Sequence, residues 1–215
     1  GARRPGRRPA ALLWTHVSRR GLVDEARAEA RRTLAALLPM VERGIAVVGL
    51  EPSCLLTLRD EYAVLLPGAE AGKLAGAAML FEEFVAAEID AGRFKPKLRA
   101  LPEKRALLHG HCHQKAFAVM GAVHKTLALV PALEVETIES SCCGMAGAFG
   151  YEAGNVEISR RMGELSLMPA VRAADDDTLV VADGTSCRHQ IADGAARQAV
   201  HVACVLERAL DPAGD

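Results

Sequence analysis

Apolar residues along this chain gather into four short runs that read as strands. Ile45-Ala46-Val47-Val48-Gly49-Leu50 and Thr178-Leu179-Val180-Val181-Ala182-Asp183 are apolar almost throughout, the pattern of a strand buried on both faces. Glu134-Val135-Glu136-Thr137-Ile138 alternates, and Ala106-Leu107-Leu108-His109-Gly110 has strand character. Between the runs the apolar period is helical. Residues 22–43 predict an amphipathic helix ending near Gly44, and Leu74 to Ile89 a second, rich in Ala and Leu with its acidic residues on one side. Further helices are expected from Gln114 to Leu129, from Asn155 to Val171 and from Arg197 to Leu210. Gly92 to Lys104, with two prolines and several Lys and Arg, reads as a linker. Strands alternating with helices predict an α/β fold with parallel strands.

Cysteine placement gives this pattern its chemistry. Cys112 follows the strand at 106–110 by two residues, Cys142 and Cys143 come just after the strand at 134–138, and Cys187 follows the strand at 178–183. In an open parallel sheet ligands collect outside the strands' carboxyl ends, so the four thiols are expected to converge on one site. Two adjacent cysteines followed by Gly144, in a chain with six cysteines in all, point to metal or redox chemistry. Gly144 and Gly147 would let backbone N–H groups approach sulfur, or would form a plain turn. Cys54 reads as a vestigial ligand, a ligand to a shared site or a bland thiol, and Cys204 as a core residue on an apolar helix face. His109, His111 and His113 offer an orienting or proton-handling role for at most one of them. Lys115 and Arg188 read as solvated charges beside the site, and Phe149 and Tyr151 as packing residues.

The same order contains a repeat. Shifting by 133 residues lays Gly21-Leu22-Val23-Asp24 on Gly154-Asn155-Val156-Glu157, Ala46-Val47-Val48 on Leu179-Val180-Val181, and Pro52-Ser53-Cys54 on Thr185-Ser186-Cys187. The fold expected is two pseudo-symmetric Rossmann-like repeats with parallel strands, the first truncated at its N-terminus. Its parts would be a tail over 1–20, an incomplete first repeat over 21–92, a linker over 93–105 and a complete second repeat over 106–211. At the shared offset the double cysteine falls on Pro9 and Ala10. Leu12-Leu13-Trp14 lies close by, and CTG-CTG-TGG read from its second base encodes Cys-Cys-Gly. Either residues up to about Trp14 stem from a shifted reading frame, or the first copy never carried the motif; the nucleotide sequence decides.

Composition narrows the class. The chain has 215 residues, half of them apolar, with 26 Lys and Arg against 27 Asp and Glu, so a sizeable core is available. A net charge of −1 and scattered arginines argue against nucleic acid as a partner. The basic start, Arg3-Arg4-Pro5-Gly6-Arg7-Arg8-Pro9, reads as a solvated or disordered tail. No apolar run approaches the ~20 residues of a membrane span, and no signal-peptide pattern is present. The expectation is a cytoplasmic protein, or one held peripherally at the inner face of the membrane through partners. In a reducing compartment its cysteines are thiols or metal ligands.

His109-Gly110-His111-Cys112-His113-Gln114-Lys115-Ala116, Ser141-Cys142-Cys143-Gly144-Met145-Ala146-Gly147 and Thr185-Ser186-Cys187-Arg188-His189-Gln190 resemble the cysteine-rich CCG domain. That domain occurs in heterodisulfide reductase and in the iron-sulfur proteins of glycolate oxidase and lactate utilisation. With Gly49-Leu50-Glu51-Pro52-Ser53-Cys54-Leu55, the resemblance is greatest to the C-terminal part of bacterial FAD-linked D-2-hydroxyacid dehydrogenases. It implies an iron-sulfur cluster held by Cys112, Cys142, Cys143 and Cys187. It implies as partners a flavin domain or subunit that carries the FAD, a ferredoxin-like domain, and a quinone or soluble carrier that accepts the electrons. The family pattern often ends in Cys-x-x-Cys, whereas residue 190 here is Gln, so four thiolates suit a [4Fe-4S] cluster better than a non-cubane one. A heterodisulfide-reductase-like thiol site and a zinc-stabilised structural domain are the alternatives.

Overall fold

The computed structural model describes residues 21–211. The basic stretch from Arg3 to Pro9, the 1–20 tail, the expected first double cysteine and Leu12-Leu13-Trp14 lie outside the described residues. The chain divides into two compact units, one holding the described residues up to 49 with 54–78, the other 50–53 with the described residues from 79 onward.

In the first unit, helix α1 (Val23–Val41) buries Ala26, Ala30 and Leu34, a four-residue spacing that places them on one stripe. Gly44 follows in the left-handed conformation that ends many helices, with φ +78°. Short helical turns at Leu56–Leu58 and Glu61–Leu65 supply Leu56, Leu58 and Tyr62 to the core, and helix α2 (Ala69–Ala77) closes it with Ala71 and Leu74. The Arg59 guanidinium donates to the Ala78 carbonyl at 2.8 and 2.6 Å.

Two expectations are corrected here. The run Ile45–Leu50 is not a buried strand: β1 covers only Val47–Gly49, and Ile45, Val48 and Leu50 are exposed. Among the described residues it pairs with β2 (Ala78–Leu80) alone, and a two-stranded sheet cannot cover both faces of its own strands. The helix expected from Leu74 to Ile89 is α2, then β2, then helix α3 (Phe81–Asp90). No breaker marks the change, because Ala78-Met79-Leu80 is taken by strand pairing, and the Glu83 carboxylate then accepts the Leu80 N–H at 2.9 Å to start α3.

The second unit is built on a four-stranded parallel sheet in the order β4-β3-β5-β6. Its strands are β3 (Arg105–His109), β4 (Glu134–Thr137), β5 (Leu179–Ala182) and β6 (Ala199–Val200). The helices are α4 (Cys112–Ala116), α5 (Met120–Leu127), α6 (Val156–Glu164), α7 (Leu167–Ala173), α8 (Thr185–Ala195) and α9 (Val202–Ala209). Alternate residues of the central strands feed two cores. Ala106, Leu108, Leu179 and Val181 meet Val123 and Leu127 of α5 and Val202, Val205 and Leu206 of α9. Leu107, Val180 and Ala182 meet Leu167, Met168 and Val171 of α7 and Ile191 of α8, together with Cys143 and Cys187. Burial on both faces explains why the Leu179–Ala182 run carries no polar residue.

The long helices expected in this unit are interrupted. The 114–129 helix is α4 and α5, parted at Ala118 with φ +56°. The 155–171 helix is α6 and α7, where Pro169 lacks the N–H needed to continue from α6 and fits the first turn of α7. Arg197–Leu210 is a strand followed by a helix, because Ala199 and Val200 pair with Val180 and Val181. On α9 the buried stripe is Val202, Val205, Leu206 and Ala209; Cys204 lies off it and is exposed, which overturns its assignment to the core.

Candidate metal centre

The chain leaves β3 toward β4 on one side of the sheet and β5 toward β6 on the other, so the carboxyl ends of β3 and β5 flank the point where the strand order reverses. Such a point opens a crevice. Cys112 opens α4 three residues after β3, the double cysteine follows β4, and Cys187 lies in the first turn of α8 after β5. Cys187 was expected in a loop; the helix begins two residues before it, with the Glu51 carboxylate accepting the Thr185 N–H at 2.8 Å.

The four thiols form a hydrogen-bonded chain running Cys112, Cys142, Cys143, Cys187. Cys143 and Cys187 are buried with Sγ atoms 3.3 Å apart, and Cys112 and Cys142 are half-buried. Protons are shared unequally along it. Cys142 is held far below the usual thiol range by hydrogen bonds from Cys112 and Cys143, with help from the Gly144 and Ala146 N–H groups. Cys187 is lowered by its bond to Cys143, against burial, with His109 assisting. Cys112 and Cys143 are raised, the first mainly by its bond to Cys142, the second by bonds to Cys142 and Cys187. These directions favour a proton on Cys112 and Cys143 over one on Cys142 and Cys187.

Backbone geometry around the double cysteine is special. Gly144 has φ +94°, Ala146 +40° and Gly147 +67°. The Gly144 N–H donates to Cys142 Sγ at 3.3 Å. A Cβ on Gly144 would sit 2.1 Å from the Ser159 carbonyl oxygen, so only glycine fits.

Three histidines surround the thiols differently. His109 is buried, with Nδ1 2.9 Å from Ser140 Oγ and Nε2 without a hydrogen-bond partner. Its ring and the Cys143 and Cys187 sulfurs offer ligand atoms that all lie within 4.8 Å of one another, a group able to hold a metal ion. His111 is buried and its acidity is raised by desolvation, favouring the neutral ring; its Nδ1 accepts the His113 N–H at 3.2 Å. His113 is half-buried.

Several residues near the site went unnoticed in the sequence. Gln114 is fully buried: its Oε1 accepts the His111 N–H at 2.9 Å, and its Nε2 donates to Glu82 at 2.7 Å and Asp183 at 2.8 Å. Asp183 also accepts the Val202 N–H at 3.0 Å, so one buried network ties α3, α4, β5 and α9 together behind Cys112. Gly184 leaves room for His111, whose Cδ2 would lie 2.5 Å from an added Cβ. Lys115 and Arg188 are not simply solvated: the first donates to the Ser140 carbonyl and the second to the Ala182 and Asp183 carbonyls. Tyr151 does not pack; it is 56% exposed with its hydroxyl 2.6 Å from His189 Nδ1, and Phe149 is half-buried. Cys54 is half-buried in a helical turn (Pro52–Leu55).

No family model matches the chain, and no solved structure matches it. Curated proteins do. One component of the anaerobic glycerol-3-phosphate dehydrogenase of Escherichia coli is 31% identical over 196 residues, which cover 88% of this chain and 47% of that protein. D-2-hydroxyglutarate dehydrogenase of Escherichia coli is 29% identical over 174 residues, 80% of this chain and 16% of that protein, and its Pseudomonas putida counterpart 28% over 178 residues. The chain thus spans about half of the first relative and a smaller part of the others. It is a homologue of that anaerobic glycerol-3-phosphate dehydrogenase component and of a segment of the D-2-hydroxyglutarate dehydrogenases.

Proposed function

We propose that this chain is an iron-sulfur electron-transfer module of an FAD-linked dehydrogenase of the 2-hydroxyacid type (glycolate, lactate or 2-hydroxyglutarate). The observation that carries the reading is the convergence of four cysteines from three strand ends at the sheet's reversal point, in a chain whose relatives are dehydrogenases. The residues suit the group. Soft thiolates with a buried imidazole beside them fit iron-sulfur chemistry, and the lowering of Cys142 and Cys187 favours their thiolate forms. Cys112, Cys142, Cys143 and Cys187 would hold a [4Fe-4S] cluster, which supplies one-electron transfer when bound. The Gly144 N–H would stay against sulfur, Gly147 would turn the loop with its positive φ, and Met145, Ile138 and Leu167 pack with Cys143 and Cys187 on the inner side.

The flavin belongs to a companion domain or subunit, alongside a ferredoxin-like domain, and a quinone or soluble carrier takes the electrons onward. This arrangement puts the protein in the cytoplasm or at the membrane's inner face through its partners; no helix among the described residues is long and apolar enough to cross a membrane. The repeat reading, an incomplete unit over 21–92 and a complete CCG unit over 106–211, draws support from local order. In both copies a cysteine follows five residues after a strand end, at Gly49 and Ala182, and stands third in a helical segment.

Protein purified without oxygen is expected to contain about four irons and four acid-labile sulfides per chain, both lost in Cys142→Ser. One zinc without sulfide would overturn the reading. That result would favour a structural zinc site, for which the compactness of the His109, Cys143 and Cys187 group is the supporting observation.

A further inference from the structure

We infer that Glu51 is a positioning residue for the cluster site: its carboxylate fixes the turn that carries Cys187 and, as an unneutralised anion beside that sulfur, lowers the reduction potential of the bound group. The inference deepens the proposed iron-sulfur reading and rests on it.

The geometry begins at the start of α8. Half-buried Glu51 accepts the Thr185 N–H at 2.8 Å through one oxygen and the Ser53 hydroxyl at 2.8 Å through the other. Gly184, the residue before α8, has no side chain to take that N–H itself. A Cβ on Gly184 would lie 3.1 Å from Cys187 Sγ, so the carboxylate and the sulfur both sit against the Gly184–Thr185 junction. The 133-residue shift lays Glu51-Pro52-Ser53-Cys54 on Gly184-Thr185-Ser186-Cys187. Glu51 thus answers to a glycine, and Thr185 to a proline that has no N–H to offer. One copy carries the acceptor and the other the donor. The segment is held from a second side as well. His201 Nδ1 accepts the Ala203 N–H at 3.0 Å, so the ring proton stays on Nε2, which donates to the Leu50 carbonyl at 2.8 Å. Leu50 and Glu51 are tied in this way to the starts of α9 and α8.

The charge is not cancelled locally. Arg188 turns its guanidinium to the Ala182 and Asp183 carbonyls and the Thr185 hydroxyl, and among the described residues Glu51 forms no ion pair. Burial weighs most on His111 and on the Tyr151 hydroxyl, but both also feel the charges of Cys187 and of Glu51, so carboxylate and sulfur share one neighbourhood. The positive end of α8 favours electron-rich sulfur at Cys187, and an anion on that end offsets it. An electron added to the bound group meets this extra negative charge, which favours the oxidised form.

The test uses the whole chain, loaded with iron and sulfide without oxygen, and reads iron and sulfide content, urea unfolding and midpoint potential. Glu51→Gln keeps an oxygen for the Thr185 N–H and removes the charge. It is expected to hold iron and sulfide at the original level and to unfold at the original urea concentration. Its potential should rise, by up to roughly tenfold in the one-electron equilibrium, about 59 mV. Glu51→Ala removes charge and acceptor together, so the potential should rise likewise while unfolding moves to lower urea. An unchanged potential in Glu51→Gln would make Glu51 a helix cap alone and overturn the inference, leaving the electron-transfer reading standing. Loss of iron and sulfide from that variant would overturn it too. A wild-type chain that takes up no iron and sulfide would overturn both.

Discussion

The loop that follows the double cysteine depends on single atoms. Gly144 combines a left-handed backbone with a site where an added Cβ would lie 2.1 Å from the Ser159 carbonyl oxygen, and its N–H is one of the donors that lower the Cys142 thiol. Gly144→Ala is therefore expected to cost at least about 1–3 kcal/mol from backbone strain alone. It should also raise the Cys142 thiol toward the ordinary range. A urea titration and the pH dependence of alkylation at Cys142 in metal-free protein check the two effects; wild-type values in both would mean the loop relaxes freely. A glycine right after the double cysteine could be singled out from the sequence, which left open whether it brings an N–H to sulfur or forms a plain turn. Ser159, the wall it meets, could not, because nothing in a single sequence ties a serine on α6 to a loop fifteen residues earlier.

At the scale of elements, the strands were easier to read than the helices. Runs such as Leu179–Ala182 are buried on both faces and say so in their composition, while Leu74–Ile89 keeps helical composition across a stretch that strand pairing takes away. The cysteines' convergence was visible because strand ends and reversal point follow from element order. Gln114 and its two carboxylates were invisible, being ordinary polar residues whose meaning lies in contacts 32 and 69 positions apart. Helix α9 offers the sharpest check on phase. Its stripe of Val202, Val205, Leu206 and Ala209 leaves Cys204 outside, although the run Val202–Leu206 reads as uniformly apolar. Leu206→Ala should cost about 2–4 kcal/mol, and Cys204→Ser no more than about 0.5 kcal/mol. Thermal or urea unfolding separates them, and equal losses would place both side chains in the core. Gln114→Ala should cost about 2–4 kcal/mol by the same measurement, because it strands two buried carboxyl groups and frees the start of α4.

Stability of the whole chain is tied to pH through one of those carboxyls. Glu82 is 1% exposed, and burial, reinforced by the charge and hydrogen bond of Asp183, pushes its carboxyl up to about 9 from an ordinary 4.5. The groups facing it are Asp183 and the Gln114 amide, with Thr126 bonded to its backbone carbonyl and His201 3.5 Å beyond on Asp183. Between pH 4.5 and 9 the folded protein holds a proton on Glu82 that the unfolded chain has released, so the unfolded state binds fewer protons and stability must fall as pH rises. The contribution is complete below about 4.5 and lost on passing through 9. While one proton separates the states, the slope is roughly 1.4 kcal/mol per pH unit. Glu82→Gln keeps the shape and an acceptor for the Gln114 amide but cannot ionise, so it removes this slope. Urea unfolding of both proteins at a series of pH values should give curves that agree near pH 5 and diverge as pH rises, with the variant the more stable at pH 8. Parallel curves would show that Glu82 is ionised in the folded protein and that the network behind Cys112 carries a full negative pair.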